Sequence, residues 1–188
     1  MINYYRYPSS IGKLYIRIDR ERIVGIWIER QKYFPEDFPC EEAEDLEMAV
    51  TGTMAGKLKD WLDRYFRGEN PSKAGLNLHP QGTAYQKKVW KELMAIPYGR
   101  ISSYGAIAAA INEKSFLPTS PRAVGGAIGR NPISILIPCH RVVAQDGRMT
   151  GYAGGLDRKV ALLRLEGILK GDGLICEGDF HPVYPEGK

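Results

Sequence analysis

Leu14-Tyr-Ile-Arg-Ile-Asp19, then Arg20-Glu-Arg22, then Ile23-Val-Gly-Ile-Trp-Ile28 is a stretch whose polarity alternates residue by residue in its first part. Leu14, Ile16 and Ile18 fall on one side of an extended chain and Tyr15, Arg17 and Asp19 on the other, a period that a strand satisfies and a helix does not. Val24, Ile26 and Ile28 resume the alternation after the charged turn, so the spacing predicts short antiparallel strands of a β-meander. Further on the period changes. Leu46, Val50, Met54, Leu58, Trp61, Leu62 and Tyr65 recur at helical spacing, which predicts a helix from about Glu44 to Phe66 with this stripe in the core. Residues 35–47, with two prolines and seven acids, read as a surface loop leading into it. Strands and a helix here, with helical patterns beyond, define an α/β fold of the α+β kind.

Gly68 to Gly82 is rich in Gly, Pro, Asn and Ser, and it predicts a boundary between a domain at 1–80 and a second at 81–188. The charge balance changes at the same place. Residues 1–80 carry 12 basic and 13 acidic side chains, net −1, whereas residues 81–170 carry 13 and 5, net +8. The second part therefore suits a polyanion. Within it, Thr83 can cap a helix to about Ala95, with Tyr85, Val89, Trp90 and Leu93 inward, and Pro97-Tyr-Gly99 ends it. Ser102 or Ser103 can cap a second helix through Ile111, and Ser120 or Pro121 can start a third reaching about Arg130. The last two have the order of a helix-turn-helix, with a loop at Asn112–Thr119 longer than the usual three or four residues. The third helix, Arg122-Ala-Val-Gly-Gly-Ala-Ile-Gly-Arg130, contains three glycines, each costing up to about 1 kcal/mol in a helix. Such a composition serves close approach, either to another helix or to a ligand surface, and the flanking arginines favour the second.

Ile137-Pro-Cys-His-Arg-Val-Val143 places a nucleophile, Cys139, against a base, His140. A free thiol has a pKa of roughly 8.5, and a neighbouring histidine is its commonest assistant. Consecutive residues of a strand point apart, so contact between the two needs a turn or a bridging water. The three cysteines, Cys40, Cys139 and Cys176, are odd in number, far apart and without metal spacing, so neither a disulfide framework nor a zinc site is expected. His79 and His181 sit beside prolines in predicted loops. No apolar run after Met1 is long enough for a signal peptide or membrane span, and a soluble, intracellular protein is expected. Asp157 to Glu166 is amphipathic and Gly167 can end it as a helix. A carboxylate at that end is opposed by the helix dipole, which favours a specific use for Glu166.

Taken together, Arg122-Ala-Val-Gly-Gly-Ala127, Asn131-Pro132, Pro138-Cys-His-Arg-Val142 and Gly151-Tyr-Ala-Gly-Gly155 resemble the O6-alkylguanine-DNA alkyltransferases, or methylated-DNA-protein-cysteine methyltransferases. The resemblance is strong over Gly82–Gly167 and only general before it. It implies a ribonuclease-H-like N-terminal sheet domain and a mainly helical C-terminal domain with a helix-turn-helix. It also implies a cytoplasmic monomer acting on double-stranded DNA that contains O6-alkylguanine, with O4-alkylthymine as a second lesion, no membrane, no cofactor and no metal.

A group on guanine O6 sits at the pairing edge, so the nucleotide must be flipped out before a thiol can reach it. By position, Tyr104 matches the residue that acts on the adjacent phosphate and Arg122 the one that fills the vacated stack. Ala123, Gly126 and Ala127 match the small residues that admit the DNA minor groove. Ile128, Val142, Tyr152 and Ala153 match the lining of the base pocket, where many relatives have serine in place of Ala153. The resemblance implies that Cys139 attacks the alkyl carbon, His140 takes the thiol proton through a water, Glu166 orients His140, and Asn131 ties a hinge. The thioether product has no route back, so the protein acts once. A non-catalytic sensor of alkylated DNA is the alternative, but such relatives lack the cysteine, and the presence of Cys139 argues against that class. A sequence-reading transcription factor would need side chains that read base edges, which the glycine-rich helix lacks. A cysteine hydrolase would need an oxyanion hole and an open thiol.

Overall fold

The computed structural model describes residues 1–115 and 118–169. Cys176, His181 and two positions of the Asn112–Thr119 loop lie outside them. The described chain is mixed α/β, and its contacts divide it into two compact units: Met1–Gln81 with Pro132–Leu136, and Gly82–Asn131 with the chain from Ile137 onward. Nothing in the sequence marks the return of Pro132–Leu136.

In the first unit, β1 (Ile2–Tyr7), β2 (Leu14–Asp19) and β3 (Arg22–Ile28) form an antiparallel meander, and the two-residue β4 (Glu44–Asp45) adds in parallel to β1, giving the order β3-β2-β1-β4. The alternation of β2 holds, with Leu14, Ile16 and Ile18 buried. That of β3 does not. Ile23, not Val24, pairs with Ile18, and the register shifts at Arg17/Ile18, so Val24 is the extra residue of a β-bulge and turns outward. Both faces of the sheet are covered, because Tyr4, Tyr15, Trp27, Phe34 and Phe38 pack on the side away from the isoleucines, around the guanidinium of Arg17. The free side of β3 is covered too. Ile23 exchanges backbone hydrogen bonds with Asn77 and His79, and Ile26 with Pro132 and Ser134, so residues 132–134 lie parallel to β3.

Helix α1 spans Met54–Phe66, ten residues shorter than the apolar spacing predicts. Upstream, Leu46–Met48 is only a 3₁₀ turn, and Val50 is 70% exposed. Two local features set the start. Gly52 takes φ +89, and Thr53 Oγ1 then accepts from Gly56 N while the Glu21 carboxylate accepts from Met54 N at 2.6 Å, which satisfies two of the otherwise orphaned amides.

In the second unit, α2 (Ala84–Met94), α3 (Tyr104–Glu113) and α4 (Pro121–Gly129) pack on one another, and the 3₁₀ turn Cys139–Arg141 leads into β6 (Val142–Val143) and then α5 (Leu156–Leu165). The predicted caps are used: Thr83 closes a capping box with Gln86, Ser103 accepts from Ala106 N, and Ser120 accepts from Ala123 N ahead of Pro121. Trp90 donates its indole N–H to Ala127 O at 2.9 Å, joining α2 to α4. The parallel pairing of β5 (Ser102–Ser103) with β6 brings the start of α3 beside the chain leaving Cys139.

Candidate active site

Pro138, at φ −81 and ψ 63, makes a tight turn in which Cys139 N donates to Ile137 O at 2.8 Å, and Arg141 N then donates to Pro138 O at 3.0 Å. The strand geometry that would separate Cys139 from His140 is thereby replaced by a 3₁₀ turn, whose successive side chains point about 120° apart. Cys139 turns one way and His140 and Arg141 both reach Glu166.

The nucleophile is 4% exposed. Its Sγ accepts a hydrogen bond from Asn131 Nδ2 at 3.1 Å, and the same amide nitrogen donates to Ile137 O at 2.8 Å. Asn131 and Ile137 are the residues at which the chain leaves and re-enters the second unit, so one side chain bridges both ends of that excursion and touches the sulfur. Burial pushes the thiol pKa up, against the Asn131 hydrogen bond, the charge of Lys159 and the backbone amides of Cys139 and His140. The resting state is therefore the thiol, and a base is required.

His140 is fully buried, with Nε2 2.8 Å from Glu166 Oε1. Burial lowers its pKa, with Arg141 and Lys159 adding to that effect and Glu166 opposing it, so the ring is neutral near pH 7. Burial disfavours the Glu166 carboxylate, but the hydrogen bonds from His140 and Arg141 and the charge of Arg141 outweigh it and hold the group well below the usual carboxylate range. An ionised carboxylate only accepts, so the proton on the imidazole sits at Nε2 and the lone pair at Nδ1. Nδ1 is buried and has no hydrogen-bond partner among the described residues.

Two cations that sequence reasoning missed complete the enclosure. Arg141, 3% exposed, donates from Nε to Glu166 Oε2 at 2.8 Å and from Nη2 to Oε1 at 2.9 Å. Lys159 is wholly buried and donates from Nζ to the carbonyls of Val142 and Thr150. Burial lowers its pKa to about 8, and the charge of Cys139 opposes the shift. The signal for Lys159 was present in the sequence, since it shares the buried face of α5 with Leu162 and Leu163, where a solvated lysine has no place.

Tyr104, the first residue of α3, lies over Gly125 of α4 and donates its hydroxyl to the carbonyls of Thr150 and Gly151, both at 3.3 Å. Tyr152 is half-buried, and its hydroxyl is buried without a hydrogen-bond partner among the described residues. Burial raises its pKa strongly, with the charge of Cys139 adding to the shift. Val142 is buried directly after the cysteine turn, and Ala153 is half-buried beside Tyr152. On α4, Arg122, Ala123 and Gly126 form an exposed stripe, and a Cβ at Gly126 would meet nothing within 4 Å. Ile128 and Ala127 are on the opposite, buried face, both 4% exposed. The sequence grouped Ala127 with the DNA-facing residues, but the structure places it under α2, where its carbonyl receives Trp90.

Residues 84–168 match the family described as 6-O-methylguanine DNA methyltransferase, DNA binding domain. The chain is 43% identical over 165 residues to a methylated-DNA–protein-cysteine methyltransferase of Haemophilus influenzae, covering 88% of this chain and 86% of that one. It is 44% identical over 147 residues to a protein of the same name from Methanosarcina barkeri, covering 78% and 77%. Among solved structures it is similar to the Mycobacterium tuberculosis O6-methylguanine methyltransferase, with a TM-score of 0.70, 38% identity and coverage of 88% and 93%. The Mycobacterium tuberculosis OGT in complex with DNA gives 0.71, 37%, and coverage of 87% and 92%. A basic half built around a buried Cys-His-Glu constellation thus coincides with relatedness along most of the chain: it belongs to the methylated-DNA–protein-cysteine methyltransferases.

Proposed function

We propose that this protein repairs duplex DNA by flipping out O6-alkylguanine and moving the alkyl group to Cys139, once per molecule. The observation that carries the reading is the composition of one buried cluster: a thiol, a neutral imidazole whose Nδ1 has no hydrogen-bond partner among the described residues, and a carboxylate on Nε2. In the reaction a sulfur–carbon bond forms as the carbon–O6 bond breaks. The thiol proton passes through a water to His140 Nδ1 and from there to the departing guanine, so no net charge is created. Lys159 stabilises the thiolate as it forms, and Asn131 donates to the same sulfur. The thioether cannot be reversed by any of these groups, hence the single turnover.

The first unit is read as ribonuclease-H-like, and α3 with α4 as the helix-turn-helix. Its exposed stripe of Arg122, Ala123 and Gly126 meets the minor groove, with Arg122 in the stack and Tyr104 turning to the adjacent phosphate. Ala127 supports the stripe from below. Ile128, Val142, Tyr152 and Ala153 line the pocket for the flipped base, and O4-alkylthymine is a second lesion that the same pocket admits. The protein works as an intracellular monomer without cofactor or metal. A non-catalytic damage sensor is the alternative, and the buried Cys139 with its base argues against it. Incubating the protein in excess with a duplex bearing one O6-methylguanine and digesting the DNA to nucleosides tests the reading. Conversion of O6-methylguanine to guanine is expected. Tight binding with the lesion intact would establish the sensor instead.

A further inference from the structure

We propose that Arg141 is a positioning residue for the proton transfer: its guanidinium holds both oxygens of Glu166 against His140 Nε2, so that Nδ1 is left to present the lone pair. This rests on His140 being the base in the reading above.

The geometry is specific. Nε and Nη2 of Arg141 meet Oε2 and Oε1 of Glu166 at 2.8 and 2.9 Å, a two-pronged pairing of a planar cation with a planar anion. The guanidinium is itself fixed from two other sides. Nη1 donates to Ile96 O at 2.7 Å, and the group lies over the Tyr98 ring, 5.7 Å from its centroid. Oε1 is shared between Arg141 Nη2 and His140 Nε2, so the direction of the His140 hydrogen bond follows from where Arg141 puts that oxygen.

The chemical consequence concerns the proton. A buried carboxylate deprived of its arginine takes up a proton more readily. A protonated Glu166 would offer an O–H to Nε2, and the imidazole would then carry its own proton at Nδ1. That tautomer cannot accept from Cys139. Alternatively the carboxylate stays ionised, its charge acts on His140 alone, and the ring becomes doubly protonated. In both cases Nδ1 is occupied. Other groups near the pair differ in kind from Arg141: Gly99 N donates a single, uncharged and longer hydrogen bond to Glu166 Oε2 at 3.4 Å, Lys159 is committed to the Val142 and Thr150 carbonyls, and Tyr98 and Tyr152 are neutral hydroxyls.

The test is the ¹⁵N spectrum of the His140 imidazole at pH 7 in the full-length, DNA-free protein, for wild type, Arg141→Met and Arg141→Lys, beside their single-turnover rates on a methylated duplex. The expected result is an unprotonated Nδ1 in wild type, a protonated Nδ1 in Arg141→Met with a rate lower by about 100-fold, and return of the unprotonated Nδ1 with partial recovery of the rate in Arg141→Lys. A protonated Nδ1 in wild type, or an unprotonated one in Arg141→Met, overturns the proposal. Arg141→Gln serves if the methionine variant does not fold. Because the spectra need no DNA, they judge Arg141 even if the wild-type protein transfers nothing, an outcome that would sink the proposed function instead.

Discussion

Lys159 on the buried face of α5 and Glu166 at its C-cap are both buried charges that the surrounding core has to accommodate. For Lys159 the cost is legible in its pKa of about 8, which corresponds to roughly 3 kcal/mol of destabilisation at neutral pH relative to an exposed lysine. Its two hydrogen bonds to Val142 O and Thr150 O return about 1 kcal/mol each. Lys159→Met should therefore leave the melting temperature unchanged or slightly higher while slowing alkyl transfer by about tenfold or more. A matching loss of both in calorimetry and single-turnover kinetics would make the lysine merely structural. Glu166 and His140 both have folded pKa values below their unfolded ones. In each case the unfolded chain takes up the proton first, so each group loses stability as pH falls. The loss begins near the unfolded histidine value of about 6.5 and steepens near the unfolded glutamate value of about 4.3. Urea midpoints measured from pH 8 down to pH 4 should fall from about 6.5, and a His140→Phe variant should hold its plateau to lower pH. Cys139 and His140 were legible from their own motif, and Glu166 from its place at the end of the amphipathic run Asp157–Glu166. Arg141 and Lys159 were not, because a cation in a basic chain reads as solvated unless its place on a buried turn or stripe is considered.

Among the elements, α4 shows most plainly what its composition is for. A purely structural helix would gain from alanine at Gly126, where the surrounding space is open and the backbone is helical. Gly126→Ala should raise stability by about 0.5–1 kcal/mol. If the exposed stripe meets DNA at close range, the same change should weaken duplex binding severalfold, so the two readouts should move in opposite directions. Tighter or unchanged binding would remove Gly126 from the interface. Helix ends in this unit were legible because Thr83, Ser103 and Ser120 are capping residues standing directly before apolar periodicity. The start of α1 was not. Leu46 and Val50 continue its spacing upstream, and the interruption depends on the φ of Gly52 and on the carboxylate of Glu21, a residue 33 positions away. The bulge at Val24 is similarly silent in sequence, since β-branched residues fill both the paired and the unpaired positions.

At the scale of the whole molecule, the chain returns to the first unit at Pro132–Leu136, immediately before the active-site turn. Ile135 in this segment is fully buried and sits at φ +71, a conformation that costs a β-branched residue on the order of 1–3 kcal/mol. Lys73 helps hold the segment by donating to Leu136 O at 2.6 Å. Such long-range ties leave no periodicity or motif, which is why the return of residues 132–136 could not be read from the sequence. Asn131 spans both ends of this segment and donates to Sγ at 3.1 Å, a hydrogen bond that an alkyl group on the sulfur would weaken or displace. The alkylated protein should therefore melt several degrees lower than the free thiol form. An unchanged melting temperature would show that the hinge tolerates the product. All of this depends on where the alkyl group goes, and a peptide map of the protein after reaction with a duplex carrying one O6-methylguanine answers that most directly. The account predicts one methyl group per molecule, on the peptide containing Cys139 and nowhere else. Methylation of another residue, or none while the lesion persists, would contradict it.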